Sequence, residues 1–248
     1  MIGLFDSGSG GLTVLDALRK KAPNADIVYF GDIKNAPYGT RSKEELASLT
    51  TAGIRMLQNF GTDELISACN SAALSVLLGA AGHARIIDMT RPTARAMRQY
   101  AGKRVLLLAT PATIISRLYS DALETIVLLD PLPIAELAAA IEFGASRSTI
   151  RDIVRSSFRE RKGRQYDLVL LGCTHYPLAR DIIEREAEKM FGKVEYIDPA
   201  EAVAEEAAQR FHTEGRGKLA FKISKDSDHF RKRVAELWPD AKYTIQIT

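Results

Sequence analysis

The chain has 248 residues, enough for one large domain or two small ones with cores of their own. An apolar fraction of 46% and a charged fraction of 26% are those of an ordinary folded chain and exclude a disordered or collagen-like one. The net charge of +3 is only mildly basic, and its densest run (Arg155, Arg159, Arg161, Lys162, Arg164) lacks interleaved aromatics, so it reads as a solvated helix end rather than a nucleic-acid patch.

Met1 to Phe5 is too short for the apolar region of a signal peptide and runs straight into Asp6. No run of about 18 apolar residues follows, so no membrane span is expected. Strands are predicted at Ile2–Phe5, Ile27–Phe30, Leu65–Ala68, Ala84–Ile87, Val105–Ala109, Ile126–Leu129, Leu168–Leu171 and Val194–Ile197. Amphipathic helices are predicted between them at Gly11–Lys21, Lys43–Phe60, Ser71–Ala81, Pro92–Tyr100 and Pro177–Phe191. Lys218–Ile223 reads as a further strand and Ser227–Leu237 as a closing helix. Strands alternating with helices predict an α/β fold built on mainly parallel sheets.

The chain also echoes itself. IGLFDS from Ile2 resembles VLLLAT from Val105, an offset of 103, and IVYFGD from Ile27 resembles TIVLLD from Thr125, an offset of 98. DELISACN (63–70) resembles YDLVLLGCT (166–174), which sets Cys69 and Cys173 104 residues apart. Three echoes in one order predict two pseudo-symmetric α/β domains with the active site in the cleft between them, at the carboxyl ends of the strands. The C-terminal strand and helix have no counterpart and are expected to rejoin the first domain. The expected division is 1–92 with 204–248, and 93–203.

Two cysteines do not make a disulfide framework, and a buried cysteine is ordinarily a small hydrophobe. Here each follows an apolar strand and precedes a polar residue and a helix, as Ala68-Cys69-Asn70-Ser71 and Gly172-Cys173-Thr174-His175. A helix N-terminus is expected to lower a thiol's pKa from about 8.5 towards neutrality. Two thiols with one histidine make a poor metal set, and there is no Cys-x-x-Cys pair. Inverting a stereocentre, by contrast, needs one acid/base group on each face of a carbon, and one thiol from each half meets that requirement. Asp6 can lie beside the strand carrying Cys69, although a role as helix cap explains it equally well. His175 is close enough to Cys173 to relay a proton.

Asp6-Ser7-Gly8-Ser9-Gly10-Gly11 joins a strand to a helix, the context in which backbone N–H groups bind anions. It is neither a Walker loop nor a complete dinucleotide fingerprint. Pro37-Tyr38-Gly39 is a turn carrying an aromatic hydroxyl. Asn70, Ser71, Thr113 and Thr174 are donors expected at strand ends, which suit a pocket for an amino acid with two carboxylates.

DSGSGGLTV (6–14), NAPYGTRS (35–42), ACNSA (68–72) and LGCTHYPL (171–178) together resemble the signatures of the glutamate racemases, in the family's order and across nearly the whole chain. The resemblance implies a cofactor-free, cytoplasmic, commonly dimeric enzyme that supplies D-glutamate for peptidoglycan. It implies that Cys69 handles the proton of the D-enantiomer and Cys173 that of the L-enantiomer, assisted by Asp6 and His175. Ser7, Pro37, Tyr38, Gly39, Asn70, Ser71, Thr113 and Thr174 match substrate contacts. A glutamate of the family's second domain corresponds to Glu142 in LAAAIEFG, with Glu136 as the alternative. The chain departs from the pattern at Ser71, where threonine is usual, at Ala109, at Asp88–Pro92 and at Pro199. No metal, nucleic acid or membrane partner is implied.

Three other readings compete. An aspartate racemase of the same superfamily would have similar pocket chemistry, although GCTHYPL favours glutamate. A cysteine hydrolase built on Cys173 and His175 leaves Cys69 unused and sets its histidine only two residues from the nucleophile. A non-catalytic anion-binding protein would leave both thiols without a role.

Overall fold

The computed structural model describes residues 1–73 and 85–248. The helix expected at Ser71–Ala81 therefore lies, beyond Ala73, outside the described residues, as does Ala84 at the start of the fourth predicted strand.

The strands are β1 (Ile2–Asp6), β2 (Ile27–Gly31), β3 (Glu64–Ser67), β4 (Arg85–Asp88), β5 (Arg104–Ala109), β6 (Leu128–Pro133), β7 (Leu168–Gly172), β8 (Glu195–Ile197), β9 (Leu219–Ile223) and β10 (Tyr243–Ile247). They form two sheets, ordered β10-β9-β2-β1-β3-β4 and β6-β5-β7-β8. Every pairing within them is parallel. The α-helices are α1 (Leu12–Lys21), α2 (Lys43–Asn59), α3 (Thr90–Met97), α4 (Pro111–Ile115), α5 (Leu118–Leu123), α6 (Leu137–Glu142), α7 (Arg147–Arg159), α8 (Arg180–Phe191), α9 (Pro199–Arg210) and α10 (Asp228–Leu237).

The order β2-β1-β3-β4 recurs as β6-β5-β7-β8, so the two halves repeat in topology as well as in sequence. One echo is misregistered. Ile27 lies opposite Ile2, and the residue opposite Val105 is Leu129, not Thr125. Pro131 and Pro133 hid the true span of β6, because prolines read as breakers. They are tolerated here because β6 is an edge strand, which need not donate on its outer side. Asp130 thus sits mid-strand, where it accepts from Arg161 Nε at 3.1 Å, Arg164 at 2.5 Å and Tyr166 at 2.5 Å. The basic run is therefore only partly a solvated helix end, since Arg161 and Arg164 pin the chain that leads into β7.

The inner strands β1, β5 and β7 read as nearly continuous apolar runs because helices cover both faces of each sheet. In the first sheet, Ile2 and Leu4 pack with α1, α9 and α10, while Phe5, Val28 and Phe30 pack with Leu46, Ile54 and Leu57 of α2. In the second, Leu106, Leu108, Val169 and Leu171 face α6, α7 and α8. The alternate residues Val105, Leu107, Leu168 and Leu170 face Met97 of α3 with Tyr119 and Leu123 of α5. The C-terminal strand and helix do join the first sheet, as expected, and β10 extends it by one strand that the sequence reading missed. The departure at Asp88 has a local cause, because its Oδ1 caps α3 by accepting from the backbone N–H groups of Thr90 (2.7 Å) and Arg91 (3.1 Å).

Helix α2 begins with a complete capping box: Ser42 Oγ accepts from Glu45 N at 3.2 Å and Glu45 Oε2 accepts from Ser42 N at 3.0 Å. Ser42→Ala should cost about 1 kcal/mol of unfolding free energy. A urea midpoint unchanged from wild type, at equal slope, would show that the box contributes nothing.

Candidate active site

Parallel strands present their carboxyl ends together, and the two sheets present theirs to each other. Asp6 ends β1, Cys69 follows β3 by two residues, and Cys173 directly follows β7. Both cysteines are buried, are not joined by a disulfide, and line one cavity of about 20 Å³ between the halves, space for roughly one water. Ser7, Asn70, Ser71, Thr174, His175 and Glu142 share its wall with the Pro37–Gly39 turn. Asp6 and Thr113 stand one layer behind, and Glu136 is exposed at the start of α6.

The two thiols have different neighbours. Cys69 donates to Ser7 Oγ at 3.5 Å. Burial, reinforced by the negative charge of Asp6, pushes its thiol up to about 12. The expected lowering at a helix N-terminus does not hold at Cys69, because desolvation outweighs the turn that follows it. Cys173 Sγ lies 3.8 Å from His175 Nδ1, and His175 Nε2 lies 2.7 Å from Glu142 Oε2. Burial alone would lower His175, but its bonds to Cys173 and Glu142 win and raise it to about 10. Burial likewise opposes the charge on Glu142, yet His175 and Ser9 hold it down at about 2. Imidazolium and carboxylate thus form a buried, hydrogen-bonded ion pair.

The glycine-rich loop proves to serve anions of the protein itself. Gly8 N donates to Asp6 Oδ1 at 2.9 Å, and Ser9 donates to Glu142 Oε2 through its N–H at 3.0 Å and its hydroxyl at 2.5 Å. These two amides are therefore already spent on Asp6 and Glu142. Gly10 has to lack a side chain, since a Cβ there would stand 2.6 Å from His175 Nδ1 and 2.5 Å from Thr174 Oγ1. Asp6 is not the cap of α1, whose N-cap is Gly11. Burial raises its carboxyl despite the nearby His175, and Thr174 Oγ1 donates to it at 3.2 Å.

On the other wall Ser71 Oγ, Thr110 Oγ1 and Thr113 Oγ1 form a ring of hydroxyls at 2.9, 3.0 and 3.4 Å. The Tyr38 hydroxyl donates to Asp32 at 2.7 Å, turning away from a role as a free donor. Asn70 Oδ1 accepts from Tyr119 at 2.7 Å, while its buried Nδ2 finds no partner among the described residues. Ser9, Thr110 and Arg233 were missed by the sequence reading. Ser9 lies inside the Asp6–Gly11 loop and Thr110 ends the VLLLAT run, but nothing local signals Arg233, which arrives from α10. Among the described residues no three His, Cys, Asp or Glu side chains cluster as a metal site, and no helix is long and apolar enough to cross a membrane.

Residues 12–207 match the family described as Asp/Glu/Hydantoin racemase. The chain is 33% identical over 240 residues to a glutamate racemase of Aquifex aeolicus, covering 94% of this chain and 92% of that one. It is 32% identical over 246 residues to a glutamate racemase of Listeria monocytogenes, covering 91% and 92%. The crystal structure of a glutamate racemase isoform of Bacillus anthracis superposes with a TM-score of 0.87 at 28% identity, covering 100% of this chain and 97% of that one.

The ion pair carries a pH signature. His175, raised to about 10, stabilises fully below its ordinary 6.5, and that contribution is lost as pH rises towards 10. Glu142, lowered to about 2, stabilises fully above its ordinary 4.5, and that contribution is lost as pH falls towards 2. Glu142→Gln should therefore destabilise most between roughly pH 4.5 and 6.5, and the gap to wild type should narrow by about pH 9.5. Urea titrations of both proteins at the two pH values check this, and an equal gap at both would rule out the charged pair.

Proposed function

The chain belongs to the Asp/Glu/Hydantoin racemase family, and from that premise we propose that it interconverts L- and D-glutamate by a cofactor-independent two-base reaction. The observation that carries the reading is one buried cysteine from each half at equivalent strand ends, both lining a single cavity. In the L-to-D direction Cys173 takes the α-proton as its Cα–H bond breaks, and the Cys69 thiol delivers a proton to the opposite face of the carbanion. The reverse direction exchanges the roles. His175 adjoins Cys173 and can exchange a proton with its sulfur through Nδ1, whereas Cys69 meets Ser7, and Asp6 acts on it through its charge from behind.

The free Asn70 amide and the hydroxyls of Ser71 and Thr110 suit the substrate carboxylates. A cavity of about 20 Å³ is smaller than a five-carbon amino acid, so the site has to widen to admit it. Glutamate rather than aspartate is supported by relatives above 30% identity named as glutamate racemases. We assign residues 1–92 and 204–248 to one domain and 93–203 to the other. The packing of Val203, Ala204 and Ala207 with Leu12 and Leu15 supports the return of the chain to the first. We further assign the enzyme to the cytoplasm, as a homodimer supplying D-glutamate for peptidoglycan.

Proton NMR in D₂O with L-glutamate and no added cofactor, followed by chiral analysis, should show the α-proton signal decay as D-glutamate accumulates. Exchange with aspartate alone would move the assignment to an aspartate racemase, and exchange with neither would end the enzymatic reading. Cys69→Ser and Cys173→Ser should each lower racemisation by at least about 100-fold while keeping the fold. Wild-type rates in either variant would sink the two-base scheme.

A further inference from the structure

Glu142 lies on the second half with His175, but its other donors come from the first. Arg233, on α10, donates through Nη1 to Ser9 Oγ and through Nη2 to the carbonyl of Ile141, and its Nη1 lies 3.5 Å from Glu142 Oε2. Its side chain is only 16% exposed. One helical turn earlier, His229 seats against Gly144, whose φ of +72° and missing side chain make the contact possible. A Cβ on Gly144 would stand 2.0 Å from the His229 ring. Helix α10 is therefore docked at two points on the end of α6, and Arg233 is the point that reaches the site.

A guanidinium can only donate. Ser9 Oγ accepts from it, so the Ser9 hydroxyl proton points onward to Glu142 Oε2 at 2.5 Å. As a carboxylate oxygen it accepts from both sides, so His175 Nε2, 2.7 Å away, has to donate to it. The only ring position left free to gain or lose a proton is Nδ1, which faces Cys173 Sγ at 3.8 Å. A carboxylate imposes this direction by itself; what Arg233 adds is to keep Ser9 aimed at Glu142 Oε2 and to stand 3.5 Å from that oxygen, so that the carboxylate stays ionised and in place. Without Arg233, Glu142 can turn from His175 or take up a proton, and Nε2 is then no longer obliged to carry one.

We propose that Arg233 is a positioning residue that, through Ser9, holds the Glu142 carboxylate against His175 Nε2, and so confines proton exchange on His175 to the nitrogen facing Cys173. The kinetic part rests on the racemase reading above; the tautomer part does not.

Two measurements separate them. Side-chain ¹⁵N NMR of His175, which needs no substrate, should show Nε2 protonated throughout titration in the wild type and a mixture of ring forms in Arg233→Met. In turnover, Arg233→Met should lower kcat by about ten-fold, the worth of one lost charge-assisted hydrogen bond, with KM within about two-fold. Added guanidinium ion, or Arg233→Lys, should restore part of kcat, as a purely architectural loss would not allow. Ser9→Ala cuts the same hydrogen-bonded link while leaving Arg233 on Ile141, and should give the same ¹⁵N mixture even if Arg233→Met does not fold. Wild-type ring signals in either folded variant would overturn the proposal, as would racemisation by the wild type with kcat unchanged in Arg233→Met. A wild type that fails to racemise glutamate would overturn the functional reading and leave the ¹⁵N result to judge Arg233.

Discussion

The contact on which the site depends is the buried pair of His175 and Glu142. Two sheets that meet at their carboxyl ends bring loops, helix ends and polar side chains together where water is scarce, and every such group needs a partner. The halves answer this by satisfying each other. Ser9 of the first donates to Glu142 of the second, Thr174 of the second donates to Asp6 of the first, and Ser71 of the first meets Thr110 of the second. The ion pair is the one link in this set between two charged groups. Its carboxylate collects donors from both sides, which is why a buried charge is stable there at all.

The fold is duplicated, yet its chemistry is not. Cys69 and Cys173 occupy matching places in matching sheets, but one faces a serine with an aspartate behind it, and the other a histidine held by a glutamate. Burial pushes the first thiol towards its neutral form, while an imidazole nitrogen sits within reach of the second. A pair of identical side chains is thus divided into unlike partners by residues around them. A reaction whose two directions exchange donor and acceptor can use such a division, since one thiol has to begin protonated when the other does not.

Much of this was legible in the chain. Parallel strands declare themselves as short apolar runs, and the repeated halves showed as echoes because buried strands ending in polar residues keep the same pattern wherever they recur. The cysteines stood out because each adjoins such an end. What escaped notice had physical reasons. Strand β6 was displaced because its prolines obey edge-strand rules that a linear reading cannot apply. Strand β10 was overlooked although Tyr243–Ile247 alternates apolar and polar residues, the pattern of a half-exposed edge strand. The Cys69 thiol was misjudged because burial is a property of the assembled halves. Arg233 was missed because its position depends on a helix crossing from one half to the other, and no local spacing encodes that.

The first sheet has a further property. Its strands come from both ends of the described chain, with β9 and β10 beside β2, while the second sheet is drawn from one continuous stretch between Arg104 and Ile197. A nascent chain emerging from the ribosome can pair the second sheet in full before β9 and β10 exist. The first is left open at β2, with unpaired N–H and C=O groups along one side, until β9 and β10 arrive. The helix carrying Arg233 lies between those strands. Closure of the site therefore follows synthesis of the whole second sheet, and the β2 edge is covered as Arg233 reaches Ser9 and Glu142.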